Sequence, residues 1–305
     1  MKITSTSVLA LGAFAATAAA SPVLLSSRWS YGKISGLDYS ILNLARNLES
    51  VELNYWNQGL ANFTEADFDS AGYTGFYTYL KLFRDQEIAH FTVLNDALGG
   101  GFTNCTYKFP VTTPQELLTV AQVVTTVGEG AFIGGIANLT DSPSRQSGGA
   151  ILGNEARQNS LLRQFLGLDF FNAVNLDTPL TASQAYSLAA PFIHDCPSSN
   201  APIEFHLIPA ITADFTTGAP PHNAGDEITV NWDAEKVKLG DDVHIQFLGD
   251  VYSIKAPLTQ TGTGVGTTKL PEGINGTSIL VATNFGGKGP IPDGQNFGIG
   301  SVVVA

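Results

Sequence analysis

Charge is scarce in this 305-residue chain: 14% of residues are charged, with Lys and Arg numbering 15 against 27 Asp and Glu. The formal net charge is −12 and no basic cluster is present. Nucleic acid and anionic membrane surfaces, which demand clustered Lys and Arg, are therefore excluded as partners. Cysteine is nearly absent too. Cys105 and Cys196 are the two present, and neither lies in a Cys-x-x-Cys or a Cys/His group. That excludes a zinc ribbon and a thioredoxin-like pair, and in an oxidising compartment an even pair reads as one disulfide. Nothing matches a nucleophilic triad, a dinucleotide loop or a phosphate cradle. The Thr- and Gly-rich stretch Thr259–Gly266 has no Lys-Ser/Thr after it and is expected to be a mobile loop.

The first apolar run, Val8 to Ala20, is shorter than the roughly 20 residues that span a bilayer. Lys2 precedes it, and Ala18-Ala19-Ala20 stands before Ser21. Residues 1–20 thus read as a signal peptide cleaved after Ala20. No second span is expected, and Gly298–Ala305 lacks the spacer and tail of a lipid-anchor signal. The mature protein is expected outside the cell, secreted or in the cell wall, with no membrane attachment after cleavage. Secretion gives meaning to the sequons at Asn62, Asn104, Asn138 and Asn275, although Cys105 in the middle of the second hinders modification there.

The chain changes character near Pro197. Before it, apolar residues recur at spacings of three and four; after it, short β-branched runs alternate with polar residues and are broken by Gly, Pro and Asn. The expectation is an α+β chain of two domains: a helical bundle over residues 21–197 and an antiparallel β-sandwich of immunoglobulin type over residues 198–305. Helices are expected at about Asp38–Asn62, Gly75–Leu98, Pro114–Asn138, Ser144–Leu166 and Ala182–Phe192. Strands are expected at Ile203–His206, Glu227–Trp232, Val243–Phe247, Val251–Ile254, Thr277–Ala282 and Ser301–Val304. The third helix is apolar nearly all round and should be the most buried.

Acidic side chains sit on the apolar faces of these helices. Glu52 lies in the stripe Ile41, Leu44, Leu48, Val51 and Tyr55; Glu87 and His90 lie with Leu80, Phe83 and Leu94; Glu155 lies with Ile151, Leu162 and Gln158. An unpaired buried carboxylate must be neutralised, paired or bound to a metal. Glu49 is about 100° from the centre of the first stripe, so Glu52 is expected to point inward. Glu87 and His90, three residues apart, share one helix face. Two Glu-x-x-His helices plus one Glu from each of two others form the dimetal cage of ferritin-like bundles. Here the second motif ends in Gln158. On the third helix Glu129 is the acidic candidate, while the opposite phase puts Thr125 at the cage level. His194, His206, His222 and His244 are scattered and are expected to be structural or solvated.

The stretches Leu48–Glu52, Gln86–His90 and Ile151–Gln158 resemble the secreted ferritin-like proteins of fungi, called stress-response or late sexual development proteins, which are related to plant desiccation-related proteins. Asp177–Leu180 and Ala189–Ile193 resemble the segment after the bundle in that family. The resemblance spans about Asp38 to Ile193 and implies a ferritin-like four-helix bundle with a β-rich tail. It also implies a His at position 158 and a Glu at position 125, where Gln158 and Thr125 stand. The residual ligand set is then Glu52, Glu87, His90 and Glu155. The expected function is a secreted, glycosylated, protective or structural protein, not a redox enzyme, with no cofactor beyond at most one iron or manganese ion. Two alternatives stand beside it: a metal-binding protein or oxidase using that residual site, and a cell-wall polysaccharide binder using Trp232 and Tyr252 of the sandwich.

Overall fold

Local chemistry sets the helix boundaries. Thr113 caps Pro114–Ile136 through Glu116, in a capping box with proline at the first helical position. Asp141 caps Ser142–Phe165 by accepting from the Ser144 amide at 2.8 Å. Three consecutive left-handed glycines, Gly99 to Gly101, stop Phe76–Ala97. The computed structural model describes residues 34, 36–171, 176–216, 222–249, 253–287 and 289–304. The expected signal peptide, its cleavage site at Ala20, and Tyr252 lie outside them.

Four long helices form the bundle: α1 (Leu37–Asn62), α3 (Phe76–Ala97), α4 (Pro114–Ile136) and α5 (Ser142–Phe165). A short α2 (Glu65–Ser70), not expected from the sequence, is capped by a Thr64–Asp67 box and buries Phe68. Helix α1 packs chiefly on α3 and α4 on α5, with α1–α4 and α3–α5 contacts closing the bundle. One apolar cluster, including Trp56, Phe76, Phe83, Leu117 and Leu162, fills one end. A second, including Leu42, Leu94, Phe132 and Ile151, fills the other. The inward acids lie between them in sequence on every helix. Helix α4 is long and apolar enough to cross a membrane, but 61% of its apolar window is buried inside the protein. Its apolarity is that of a core helix.

After α6 (Ala182–Ala189), strand β2 (Ile193–Asp195) pairs with β1 (Thr106–Tyr107). Two four-stranded antiparallel sheets follow. One has the order β3 (Ile211–Phe215), β4 (Glu227–Trp232), β8 (Val265–Lys269), β7 (Thr259–Gly262). The other has β10 (Gly298–Val304), β9 (Gly276–Thr283), β5 (His244–Leu248), β6 (Ile254–Pro257). With β3 to β10 taken as A, B, C, C′, D, E, F and G, this is A-B-E-D against G-F-C-C′, an immunoglobulin-like order. Ile228, Val230, Ile245, Phe247 and Leu280 fill the space between the sheets.

Two local expectations are corrected. Ile203–His206 is irregular, and β3 is the strand that opens the sandwich. Thr259–Gly266, expected to be a mobile loop, belongs to the β7–β8 hairpin, which turns at Gly264 with φ +72°. Threonines supplied β propensity there and glycine supplied the turn. Trp232 is a core residue of the sandwich, 9% exposed, and offers no face to a sugar.

Helices and strands share a third apolar cluster, in which Leu44, Leu48 and Val127 meet Ala185, Ile279, Val281 and Ile299. Residues on both sides of the Pro197 transition thus bury one another. Cys105 and Cys196 are disulfide-bonded across 91 residues of sequence and staple the β1–β2 ribbon. In the chain-entropy description a loop of that size contributes about 4 kcal/mol. Cys105→Ser/Cys196→Ser is expected to lower unfolding stability by that order, measured by denaturant titration; an unchanged midpoint would show that the bond constrains little.

Candidate metal centre

Glu49, Glu87, His90 and Glu155 converge in the middle of the bundle, with ligand atoms all within 4.8 Å of one another. All four are at most 4% exposed. His90 Nδ1 lies 3.2 Å from Glu49 Oε2, 3.1 Å from Glu87 Oε2 and 3.2 Å from Glu155 Oε1. One ring nitrogen thus faces three carboxyl groups from three helices, yet it carries at most one proton. The geometry admits hydrogen bonds to Glu49 and Glu87, while both Glu155 oxygens are buried without a hydrogen-bond partner. On the far side of the ring, Asn154 Nδ2 is 3.1 Å from Nε2.

Glu52 is buried inside the bundle beside Glu155, but the cluster around His90 takes its α1 carboxyl from Glu49, which was expected to face away. The reason is rotational. Leu44 and Leu48, at the centre of the α1 stripe, face α6 and the β9–β10 layer instead of α3. The bundle interior is turned toward Leu42 and Trp56, each seven residues, or about two turns, from Glu49. The missed signal was that Asn43, Arg46, Asn47 and Ser50 of α1 are buried as well, so its apolar stripe was no guide to the bundle axis.

Glu129 does not join the cluster. It accepts from Asn159 Nδ2 at 2.7 Å, and burial with a neighbouring Asp177 pushes its carboxyl up to about 7. Thr125 is fully buried at the cage level, and its Oγ1 has no hydrogen-bond partner. Gln158 donates through Nε2 to Glu87 Oε1 at 2.6 Å and to Gln86 Oε1 at 3.2 Å. The other four histidines stand apart: His194 and His206 are exposed, His222 stacks on Phe215, and His244 lies on β5. Asn62, Asn104 and Asn138 are exposed, whereas half-buried Asn275 bridges Arg163 and Asp169.

The electrostatics follow from burial. Desolvation raises Glu49 and Glu52 well above the ordinary carboxylate range, with the Glu155 and Glu87 charges adding to it at Glu52. Burial and the Glu87 charge push Glu155 up to about 7. At Glu87, burial is outweighed by the hydrogen bond and charge of His90, so its carboxyl sits below the usual value. Burial would lower His90, but the Glu49 charge and its carboxyl hydrogen bonds raise it well above an ordinary imidazole. Without a cation, one Glu87–His90 ion pair among protonated acids is the arrangement these shifts favour.

The donor set fits a metal ion. Glu49 from α1, Glu87 and His90 from α3, and Glu155 from α5 reproduce one complete half of the cage. Glu155 Oε1 lies 3.2 Å from His90 Nδ1, and a cation bound there would draw on the same carboxyl once it is deprotonated. For Nδ1 to hold a metal its proton must move to Nε2, which requires the Asn154 amide to turn and give up the bond that its oxygen accepts from Arg157. The other half holds Thr125 and Gln158 where a carboxylate and an imidazole are expected. An apolar cavity of about 250 Å³ at the N-terminal end of α1 is lined by residues such as Ile41, Leu44, Leu94 and Phe132, and by none of the four ligands.

Comparison with known proteins agrees with this architecture. Residues 37–168 match the family model of the ferritin-like domain, a span that runs from the start of α1 through α5 and contains all four clustered residues. The chain is also 28% identical over 306 aligned positions to Protein rds1 of Schizosaccharomyces pombe, an alignment covering 82% of this chain and 75% of that protein. Residues 37–168 are thus similar to the ferritin-like domain, and most of the chain is similar to a fungal protein.

Proposed function

We propose that this protein binds one iron or manganese ion in the half-cage of Glu49, Glu87, His90 and Glu155. Its role would be protective, outside the cell, in stress or development. The observation that carries this is the convergence of three buried carboxyl groups on His90 Nδ1. Carboxylate and imidazole donors suit iron and manganese. When bound, such an ion supplies a Lewis-acidic, redox-capable centre. Glu49, Glu87 and Glu155 would hold it by carboxylate oxygen and His90 by Nδ1, while Gln158 steadies Glu87 and Asn154 orients the imidazole. A protective role is favoured over an oxidase because only one half of the cage has the family's ligands. An extracellular site is supported by the signal-like N-terminus and the disulfide. A cell-wall polysaccharide partner would have to be bound without Trp232.

A second role for the cluster, as a purely structural ion pair, is favoured by one observation: Gln158 already satisfies Glu87 as His90 does. Elemental analysis of native protein separates the two. About one iron or manganese ion per chain is expected, with Glu49→Gln weakening binding at least tenfold in metal titrations. Metal-free native protein that also takes up none on titration would leave only the structural role.

The pH dependence of stability offers a second test. A carboxyl whose folded pKa exceeds its unfolded value stabilises the fold below the unfolded value, and that contribution is lost as pH rises through the folded one. Glu155 and Glu129 move from 4.5 to about 7. Chelator-treated protein should therefore lose stability between about pH 5 and pH 8, on the order of 3 kcal/mol per group before coupling is discounted. Metal binding requires deprotonated ligands, so added Mn2+ should stabilise more at the higher pH. Melting temperatures across that window, with and without Mn2+, check both slopes; a metal-free Tm that climbs with pH would contradict the assignment.

A further inference from the structure

The apolar cavity at the N-terminal end of α1 takes no part in the half-cage, none of whose ligands lines it. Its walls include Ile41 and Ala45 of α1, Leu94 of α3, Ala131 and Phe132 of α4 and Gly148 of α5. Phe205, from the irregular stretch before β3, adds an aromatic wall. Leu37, Asn138 and Asp293 are the exposed members of the lining and mark its mouth. The side chains of Ala45 and Ala131 are too short to fill the space. A Cβ on Gly135 would meet one atom within 4 Å beyond its own stretch of α4, Ile41 Cγ2 at 3.3 Å, so this wall borders open space. Atoms that face a void lose their dispersion partners, and apolar walls give a water too few hydrogen bonds to hold it.

One carboxylate stands at the mouth. Asp293 lies in the turn Asp293–Gln295 between β9 and β10. Ser183, 2% exposed in the first turn of α6, donates to its Oδ2 at 2.7 Å. Among the described residues of the lining, Asp293 is the one charged side chain. We propose that the cavity binds a cationic amphiphile, a primary amine on a straight hydrocarbon chain, with the ammonium group on Asp293 and the chain against α1, α3 and α4. An apolar chamber with a few placed polar groups is the usual form of a small-molecule site. An ammonium group matches the carboxylate in charge and in hydrogen bonding, whereas a fatty acid would bring a second negative charge to it. The net charge of −12 also draws cations toward the protein. Size sets the chain length. A cavity of about 150 Å³ takes up benzene, and in that proportion about 250 Å³ holds roughly ten non-hydrogen atoms, the size of nonylamine.

The test titrates the full chain with nonylamine, nonanol and nonanoate by isothermal titration calorimetry, each below its micellar concentration. Nonylamine should bind one per chain, with nonanoate at least tenfold weaker and nonanol between them. Asp293→Asn should weaken the amine at least tenfold and leave nonanol unchanged. Ala45→Leu and Ala131→Leu each fill the space with a good helix former, and each should weaken amine and alcohol alike at least tenfold. Two fillers on different helices guard against one that folds poorly, and a melting temperature at or above the parent's identifies the folded ones. Amine binding that survives both fillers, or that exceeds one per chain, is adsorption to an acidic surface and overturns the site. Nonanoate that binds as tightly as the amine, or an Asp293→Asn variant that binds it unchanged, overturns the cationic assignment. Binding of none of the three overturns the proposal, and an affinity that depends on Mn2+ would place the ligand at the half-cage instead.

Discussion

The bundle is organised around the difficulty of keeping carboxyl groups in a dry interior. Glu49, Glu52, Glu87 and Glu155 occupy one layer between an aromatic-rich cluster and an aliphatic one, and His90 is the single basic group among them. An isolated buried carboxylate is so unfavourable that it takes up a proton or finds a cation. The upward displacement of Glu49, Glu52 and Glu155, beside the Glu87–His90 pair, is the first of these outcomes. A bound divalent ion is the second. Both require the helices to hold their register, because a rotation of one helix by a residue would carry its acid into an apolar cluster.

The register is held from outside the bundle as much as from within. Leu44 and Leu48 of α1 and Val127 of α4 pack on α6 and on Ile279, Val281 and Ile299 of the sandwich. The sheet therefore buries the face of α1 that a free four-helix bundle would leave to water. Another face of α1 is covered by neighbouring segments: Asn43 donates to the carbonyls of Ala201 and Pro202, Arg46 reaches Asn43 and Asn95 and lies over the Phe102 ring, and Ser50 pairs with Tyr107. The C-terminal strands thereby fix the rotation of α1 and decide which of its acids faces His90.

Much of this was legible in the residues themselves. Capping boxes, the proline at the start of α4 and the triple glycine after α3 placed the long helices within a few residues, since helix ends are written in local chemistry. Glu87, His90 and Glu155 were legible because they interrupt apolar stripes at helical spacing. Glu49 was not, because the stripe on α1 reports the direction of greatest burial, and that direction is set by a sheet 230 residues further along the chain. Helix α2 and the β7–β8 hairpin were missed for the opposite reason. Their stability comes from one buried phenylalanine and from cross-strand pairing, neither of which leaves a periodic pattern in six or four residues.

Gln158 and Thr125 look at first like the remains of a lost site, but their surroundings show more than loss. Had Gln158 merely replaced an imidazole, its amide would hang unbonded in the core; instead its Nε2 holds Glu87 at 2.6 Å, in the orientation that lets the other Glu87 oxygen meet His90. Had Thr125 merely replaced a carboxylate, α4 would leave a void at the cage level. In its place Gly128 admits Glu52, and two acids of α1 one turn apart serve two different sides of one layer. A glutamate three residues from another on a single helix can reach both sides only if the helix axis runs close to the centre of the cluster. The packing of α1 against α3, α4 and the sheet puts it there.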